Sequence, residues 1–365
     1  MNTVFITVAI ISLISATLAL LLSIANKTIA NYGEKKLLIN NEKEYTIEGG
    51  DSLLSSLVEE EIFIPSACGG KGSCGYCKVK VLDGGGQVLP TELGYLSKEE
   101  QSDGVRLSCQ LKVKEDIKIE IPEELFNVKQ YDCTVEFIKD ITPRIKHLRI
   151  KLPPNSEIEF KPGQYIQILV PEYDGNSEEV YRAYSIASSP SNKDLVELFV
   201  GYTGGIATTY VHKHLKTSDK ITIVGPFGDF YYHDSDREMV MVAVGTGMAP
   251  IFSILQYIRD NNITNRKATY YFGARQMEDL YVMDEIEEIK KILPNFKHIC
   301  CLSRPGENTT WKGEVGRVTD ALEKYLESPE NKEAYLCGSP KMISSVINIL
   351  KKKGIPEELI YYDEF

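Results

Sequence analysis

The hydrophobic pattern of the chain opens with one long apolar stretch. Residues 1–25 carry no charged side chain, and the first charge is Lys27. A stretch of that length can cross a hydrocarbon core of about 30 Å as a helix. It therefore predicts a single transmembrane helix over residues 1–25 and a polar linker over residues 26–36, with the remainder in the cytoplasm by the positive-inside rule. A cleaved signal peptide is the alternative, but no basic segment precedes the apolar stretch.

Shorter periodic elements follow and predict a first compact domain over residues 37–122. Apolar and polar residues alternate around a turn at Asn41, which is typical of a hairpin, and leucines then recur at helical spacing. The predicted elements are a hairpin over Leu37–Ile47, a helix over Ser52–Glu60, and strands at Lys78–Leu82 and Ile117–Ile121. Because proline cannot extend the last strand, Pro122 is expected to end the domain.

The pattern then changes to short strands separated by glycine or proline, which predicts a small antiparallel barrel over residues 129–232. These strands are expected at Cys133–Ile138, His147–Leu152, Tyr165–Val170, Leu195–Val200 and Lys220–Val224.

From Glu238 onward, strands and helices alternate, which predicts a parallel α/β domain over residues 236–365. The strands are expected at Glu238–Val244, Thr269–Phe272, Phe296–Leu302 and Ala334–Leu336, and the helices at Ile251–Asp260, Asp284–Ile292, Val315–Leu326 and Lys341–Lys353. The fold class is therefore multidomain, with α+β and α/β parts. A net charge of −11 argues against a nucleic-acid partner.

Cysteine spacing is the strongest chemical signal. Three of the eight cysteines lie within the segment Cys68-Gly69-Gly70-Lys71-Gly72-Ser73-Cys74-Gly75-Tyr76-Cys77, and Cys109 follows later. This is close to the plant-type 2Fe–2S spacing, with five residues rather than four in the first gap. A zinc site would usually add a second Cys-x2-Cys pair, and disulfides suit small secreted domains. We predict a 2Fe–2S cluster on Cys68, Cys74, Cys77 and Cys109.

A second motif, Arg182-Ala183-Tyr184-Ser185, lies on the barrel. Arg182 and Tyr184 share one face of a strand, where arginine can hold a phosphate and tyrosine can cover an aromatic ring. Ser185 could reach a ring nitrogen only if the strand bends there. The alternative is an edge strand with a mixed face. Further along, Gly204 and Gly205 precede Thr208 and Thr209 at the start of a helix, an arrangement that favours an anion.

Together these strings resemble the flavin signature of the ferredoxin–NADP reductase superfamily, R-x-Y-S plus G-x-x-S/T-T. The resemblance implies that the flavin contacts include Arg182, Ala183, Tyr184, Ser185, Gly205, Thr208 and Thr209. The string Gly225-Pro226-Phe227-Gly228-Asp229-Phe230 is similar to that superfamily's end-of-barrel motif and favours FAD.

The α/β domain begins with a strand, a glycine turn and a helix, which favours a pyrophosphate. The predicted contacts are Gly245, Thr246, Gly247 and Met248. Cys337-Gly338-Ser339-Pro340 resembles the superfamily's C-G-x-P motif, which implies that Cys337 and Gly338 lie near the nicotinamide. The same resemblance implies that the tail ending at Phe365 lies beside the flavin; a frayed terminus is the alternative. Ser185, Cys337 and Phe365 are thus expected at the reacting rings.

In domain order the whole chain resembles the F subunits of sodium-translocating NADH:quinone oxidoreductases. That resemblance implies a β-grasp ferredoxin domain, an FAD domain and an NADH domain. It also implies hydride transfer from NADH to FAD and single-electron transfer to the 2Fe–2S cluster, then to membrane subunits and ubiquinone, at the cytoplasmic face of the inner membrane. Two departures concern partner contacts: the barrel lacks an insertion before Gly204, and the tail stops at Phe365.

Two points stay open on the sequence alone. A reductase component that feeds an oxygenase shares the three domains but normally lacks a membrane anchor, so residues 1–25 favour the respiratory interpretation.

Arg304 follows a strand of the α/β domain, where an arginine can take the 2′-phosphate of NADPH. We interpret Arg304 as surface charge and predict NADH, because the overall resemblance is to NADH enzymes.

Overall fold

The computed structural model describes residues 6, 10–20, 32–66, 68–306 and 310–365. They divide into two compact units, Met1–Asn127 and Val128–Phe365. Residues 10–20 are helical, and no helix within the described ranges is long and apolar enough to cross a membrane. Most of the predicted anchor over residues 1–25, and residues 26–31 of the linker, lie outside the described residues.

The first unit is built on a five-stranded mixed sheet with the order β2-β1-β5-β3-β4. Its strands are β1 Glu34–Ile39, β2 Lys43–Glu48, β3 Lys78–Asp83, β4 Val105–Leu107 and β5 Ile117–Glu120; its helices are α1 Leu53–Glu59 and α2 Lys98–Ser102, and a 3-10 turn spans Glu123–Asn127. β1 and β2 form the expected hairpin, whereas β1 and β5 are parallel. Leu53 and Leu57 of α1 are fully buried against this sheet, which is the β-grasp arrangement.

Two boundaries of this unit differ from the sequence prediction. β1 begins at Glu34, inside the predicted linker, because Glu34 to Lys36 pair with the far end of β2. The unit also continues past Pro122, since Leu125 and Phe126 of the 3-10 turn pack against its core. Alternation alone missed both segments: the first is polar, and the second is not a strand.

The second unit begins with an antiparallel sheet of six strands in the order β10-β7-β6-β11-β8-β9. The strands are β6 Lys129–Thr142, β7 Ile145–Lys151, β8 Tyr165–Val170, β9 Val180–Ser185, β10 Leu195–Gly201 and β11 Lys220–Phe227; α3 spans Ile206–Thr209 and a π-helical turn spans Tyr210–His214. The sheet closes on itself where Ile186 bridges Leu198, and Ala187 N–H donates to Glu197 O at 2.7 Å. This agrees with the predicted barrel.

The rest of the second unit is a six-stranded sheet in the order β15-β14-β13-β12-β16-β17, with every neighbouring pair parallel. The strands are β12 Glu238–Val244, β13 Ala268–Ala274, β14 Phe296–Leu302, β15 Glu314–Val315, β16 Lys332–Gly338 and β17 Ile360–Glu364. The helices are α4 Met248–Asp260, α5 Met283–Ile292, α6 Val318–Tyr325 and α7 Pro340–Lys353, with 3-10 turns at Gly245–Gly247, Met277–Asp279 and Glu357–Leu359. The predicted parallel α/β domain is confirmed.

One predicted helix start is wrong. The spacing predicts a helix from Val315, but this residue belongs to β15 and pairs with Leu302. Gly316 follows with φ of +131°, a conformation that no helix contains, so α6 begins only at Val318. The apolar spacing of the helix extends into the strand, and periodicity therefore did not reveal the break.

Candidate functional site

The four motif cysteines form two pairs. The Cys74 thiol donates to Cys68 Sγ at 3.4 Å, and Cys77 shares a hydrogen bond with Cys109. Among the described residues, no three His, Cys, Asp or Glu side chains are placed to hold a single metal ion. A two-iron cluster with four cysteines places two thiolates on each iron, and the paired sulfurs fit that requirement.

The electrostatics of the two pairs favour thiolates. Burial opposes ionisation of Cys68, but hydrogen bonds from Ser73 and Cys74 outweigh it and lower the Cys68 pKa to about 7. The hydrogen bond from Cys77 lowers the pKa of Cys109 to about 6 and raises that of Cys77. Since the thiolate is the metal ligand, the lowered pKa values of Cys68 and Cys109 favour metal binding by one sulfur of each pair.

Glycine is required at two positions of the cysteine loop. Gly72 has φ of +70°, and a Cβ there would lie 2.5 Å from the Gln110 side chain, next to Cys109. Gly75 has φ of +74°, and its Cβ would lie 2.9 Å from the Tyr95 ring. A larger residue at either position would strain the backbone, and at Gly72 it would also push the loop off the segment that carries the fourth cysteine.

The strand that carries the flavin motif is an edge strand of the barrel, paired only with β8. Arg182 is half-buried, and one of its guanidinium nitrogens donates to Tyr181 O at 2.7 Å. Burial raises the pKa of the Tyr184 hydroxyl and keeps it protonated. β9 ends at Ser185, and Ile186 already bridges a different strand. Ile186 N–H still donates to Gln164 O at 3.0 Å, so the pairing with the β8 side continues past Ser185 and the chain does not bend at this residue. Contact between the Ser185 hydroxyl and a flavin ring therefore stays a prediction.

The second flavin string forms a tight loop before α3. Gly204 has φ of +81°, and Gly205 is the N-cap residue, whose lack of a side chain leaves the helix start uncapped. The Thr208 hydroxyl donates to Gly205 O at 3.2 Å and accepts from Thr203 N–H at 3.3 Å. Thr208 therefore closes the loop with its own side chain. Thr209 stands one position further along α3.

The pyrophosphate turn fits tightly against the strand that carries Cys337. A Cβ on Gly247 would lie 2.2 Å from Cys337 O, so only glycine allows this approach. Tyr281 Oη donates to Gly245 O at 2.8 Å and holds the other end of the turn. Met248 is fully buried, and its sulfur accepts from Tyr270 Oη at 2.9 Å. The Met248 N–H also donates to Gly245 O, so both its side chain and its N–H already have partners, and its contact with a ligand stays a prediction.

Cys337 and the C-terminal tail meet at one edge of the turn. Cys337 has no exposed surface, and burial raises the pKa of its thiol. β17 runs parallel to β16, and Phe365 N–H donates to Gly338 O at 3.2 Å. The tail is thus a paired strand and not a frayed terminus. The Phe365 ring is 56% exposed at the end of that strand.

The sequence matches three known domain families in the order of these sites. Residues 38–114 match the 2Fe-2S iron-sulfur cluster binding domain, 132–232 the oxidoreductase FAD-binding domain, and 241–347 the oxidoreductase NAD-binding domain. The expected cofactors, a 2Fe–2S cluster, FAD and NADH, are thereby confirmed.

Relatives that match the whole chain decide the family. The F subunit of the Na(+)-translocating NADH-quinone reductase of Neisseria meningitidis is 38% identical, covering 98% of both chains. That of Idiomarina loihiensis is 35% identical and covers both chains completely. The chain belongs to the family of F subunits of Na(+)-translocating NADH-quinone reductases.

Among solved structures, the fold of this family member resembles that of the cytochrome P450 reductase GcoB from Amycolatopsis. The two are 26% identical with a TM-score of 0.73, over 91% of this chain and 98% of that one. A ferredoxin reductase of carbazole 1,9a-dioxygenase is 22% identical with a TM-score of 0.68, which shows a shared fold. The fold of the chain is therefore shared with both of these proteins.

A buried ion pair lies beside the cysteine loop, and no sequence motif predicts it. Arg106 Nη2 donates to Glu92 Oε2 at 2.7 Å, and both side chains are almost completely buried. Glu92 also accepts the N–H groups of Leu89 and Leu107, each at 2.8 Å. Burial opposes ionisation of Glu92, but these hydrogen bonds outweigh it and lower its pKa. The pair fixes the strand that leads to Cys109.

A second feature, also missed from sequence, joins the flavin and dinucleotide domains of this family member. Ser253 Oγ of α4 donates to Ser188 O at 2.7 Å, and Gln256 Nε2 donates to Ala187 O at 2.6 Å. Ala187 and Ser188 closely follow Ser185, and α4 is the helix that starts at the pyrophosphate turn. The two candidate binding motifs are therefore held together by hydrogen bonds between buried groups. Polar residues spaced three apart inside an apolar helix were the signal available in the sequence.

Proposed function

We propose that this chain is the NADH-oxidising, electron-input subunit of a membrane-bound, sodium-translocating NADH:quinone oxidoreductase. The observation that carries the proposal is the end-to-end similarity to named F subunits, 38% over 98% of both chains. The three matched domains supply sites for the donor, the flavin and the cluster in one polypeptide.

The flavin is proposed to bind at the Arg182 to Ser185 strand and the loop before Thr209. When bound, FAD accepts two electrons at once and passes them singly to a 2Fe–2S cluster on the four motif cysteines. Arg182 holds a phosphate through charge-assisted hydrogen bonds, and Tyr184 covers the ring and keeps water away. Ser185, at the end of the strand, would donate a hydrogen bond to the ring edge.

NADH is proposed to lie over the turn from Gly245 to Gly247, with its pyrophosphate at the N-terminus of α4. That terminus has no side-chain cap, and its positive dipole end favours an anion there. Cys337 and Gly338 lie beside the turn, and the exposed Phe365 ring would cover the flavin. These roles require no acid–base residue, because a hydride moves without a separate proton transfer.

The membrane arrangement is part of the same proposal. Residues 1–25 would form a single helix across the inner membrane, with the remainder on the cytoplasmic side. A short linker then keeps the ferredoxin domain near the membrane at an effective concentration of about millimolar. The next electron carrier would lie in a neighbouring membrane subunit, with quinone as the final acceptor.

Deleting residues 1–25 tests this arrangement. The truncated chain should retain NADH oxidation with ferricyanide, because the redox domains remain intact. It should fail to restore quinone reduction when added to membranes that lack the native subunit. Full restoration at equal concentration would show that the tether has no role.

A second candidate is a reductase component for an oxygenase, favoured by the similarity to GcoB over 91% of the chain. A soluble acceptor would then take electrons from the cluster domain. This alternative predicts that the truncated chain passes electrons to a soluble acceptor as fast as the intact chain does, and the same deletion distinguishes the two.

A further inference from the structure

Two arginines at the carboxyl edge of the parallel sheet have no role in the chemistry proposed above. β13 ends at Ala274 and β14 ends at Leu302, so Arg275 and Arg304 follow neighbouring strands. Arg304 N–H donates to Arg275 O at 2.8 Å, which joins the two segments directly. Both side chains are exposed. The sequence drew attention to Arg304 alone, and only the structure places Arg275 beside it.

Neither guanidinium has a carboxylate or hydrogen-bond partner among the residues that the structure describes. By contrast, Arg149, Arg259 and Arg266 of the same unit all lie in ion pairs. The first acidic residues along the chain after Arg275 belong to the following 3-10 turn. Of these, Asp279 already accepts the Gln276 N–H at 3.1 Å. Two unpaired cations side by side repel each other, which makes an anionic ligand favourable there.

The sheet order shows which part of a dinucleotide would lie over these arginines. The pyrophosphate turn follows β12; β16, with Cys337, lies on one side of β12, and β13 and β14 lie on the other. Neighbouring strands are about 4.8 Å apart, so the adenosine half extends over the ends of β13 and β14 when the nicotinamide points toward Cys337. At this place an acidic residue binds the ribose 2′-hydroxyl of NAD, whereas an arginine accommodates the 2′-phosphate of NADP.

We propose that Arg275 and Arg304 form a subsite for the 2′-phosphate of adenosine, so that the chain accepts NADPH as well as NADH. This inference rests on the proposed function, because it concerns the donor of the same reaction. Planar guanidinium groups bind phosphate oxygens bidentately. The segments 274–276 and 303–306 contain no carboxylate that would repel the phosphate.

The first test measures binding to the full-length chain by titration calorimetry. The probes are adenosine 2′,5′-bisphosphate and 5′-AMP, which differ only in the 2′-phosphate. The bisphosphate should bind about a hundredfold more tightly, since each of the two charge-assisted contacts is worth about a tenfold change. Added salt should reduce the difference in affinity between the two probes, because it screens the charges.

Arg275→Ala and Arg304→Ala should each weaken bisphosphate binding about tenfold and leave 5′-AMP binding unchanged. The double variant should bind both probes equally. Lys267→Gln is the matched control, because it removes an exposed cation at the amino end of the same strand β13. Equal affinities for the two probes in the unmodified chain, or a difference that survives in the double variant, would overturn the inference.

The second test compares kcat/KM for NADH and NADPH with ferricyanide as acceptor. Each NADPH oxidised yields NADP+ and one proton and reduces two ferricyanide ions to ferrocyanide. The double variant should lose NADPH turnover through a higher KM while its NADH kinetics stay unchanged. Failure of NADH turnover in flavin-loaded protein would count against the proposed function, whereas equal probe binding would count only against the 2′-phosphate subsite.

Discussion

The cluster site and the dinucleotide site are built in opposite ways. Three of the four cluster cysteines lie within one ten-residue segment, and glycines with positive φ shape that segment locally. The dinucleotide site takes its parts from the ends of β12, β13, β14 and β16, which are far apart in sequence. A site confined to one loop leaves a spacing that can be recognised, whereas a site made from strand ends leaves only scattered residues.

Both units nevertheless contain a buried arginine–glutamate pair, although only that of the first unit adjoins its site and that of the second lies at the amino ends of β13 and β16. In the first unit, Arg106 and Glu92 fix the approach to Cys109. In the second unit, Arg266 pairs with Glu333, and Glu333 also accepts from Tyr335 Oη at 2.5 Å. The comparison predicts that damage to either pair stays within its own unit.

The largest expected effect is loss of the cluster. Replacing Cys68, Cys74, Cys77 or Cys109 by alanine should abolish the paramagnetic signal of the reduced 2Fe–2S centre, because an iron would lose one of its thiolates. Bound FAD and NADH oxidation with ferricyanide should persist. Cys300→Ala, in β14 of the other unit, is the control and should leave the signal intact. A Cys109 variant with an unchanged cluster would refute the ligand assignment.

Breaking a buried ion pair should have the second-largest effect. Glu92→Ala leaves Arg106 buried without its partner, which should lower the unfolding free energy of the first unit by about 3–5 kcal/mol. Glu333→Ala should do the same to the second unit. Denaturation followed separately by cluster absorbance and by flavin fluorescence measures the two units. Equal loss in both units from either single variant would contradict their independence.

Arg182→Leu should weaken FAD binding by about 1.5–3 kcal/mol, because it removes a charge-assisted phosphate contact. The FAD content of the purified protein and the dissociation constant for added FAD measure the loss. Arg182→Lys keeps the charge without the bidentate geometry. Its affinity for FAD should therefore lie between those of the unmodified chain and the leucine variant. Full FAD occupancy with unchanged NADH oxidation in the leucine variant would remove Arg182 from the site.

The smallest effect concerns pH and the tail strand. Burial raises the pKa of Asp363 from 3.8 to about 6. Because the folded carboxyl holds its proton more tightly than the unfolded one, the unfolding free energy falls as pH rises from about 4 to about 6 and stays lowered above that. Asp363→Asn should remove this decrease and gain about 1 kcal/mol at pH 7, allowing for partial exposure. Tyr362→Phe, on the exposed side of β17, changes no carboxyl group and should leave the decrease in place.

Sequence reasoning succeeded where chemistry or periodicity is local. The cysteine spacing, the Arg182 to Ser185 string, and the strand, turn and helix around Gly245 could all be recognised from neighbouring residues. Alternation and helical spacing also predicted most of the longer strands and helices in order, but missed short elements such as β4, α2, β15 and β17. Such reasoning failed at boundaries such as Glu34 and Val315, where pairing with a distant strand, and not local pattern, decides the structure.

The sequence by itself determined which residues have the chemistry to ligate iron, hold a phosphate or close a tight turn. Only the tertiary structure decided which of them meet. In the sequence Glu92 and Arg106 look like ordinary surface charges, but the fold buries them together. Arg275 becomes a candidate phosphate ligand only because the fold places it beside Arg304. The physical reason is that side-chain chemistry and backbone preference are properties of single residues and near neighbours. Pairing across strands depends instead on the register of the whole sheet.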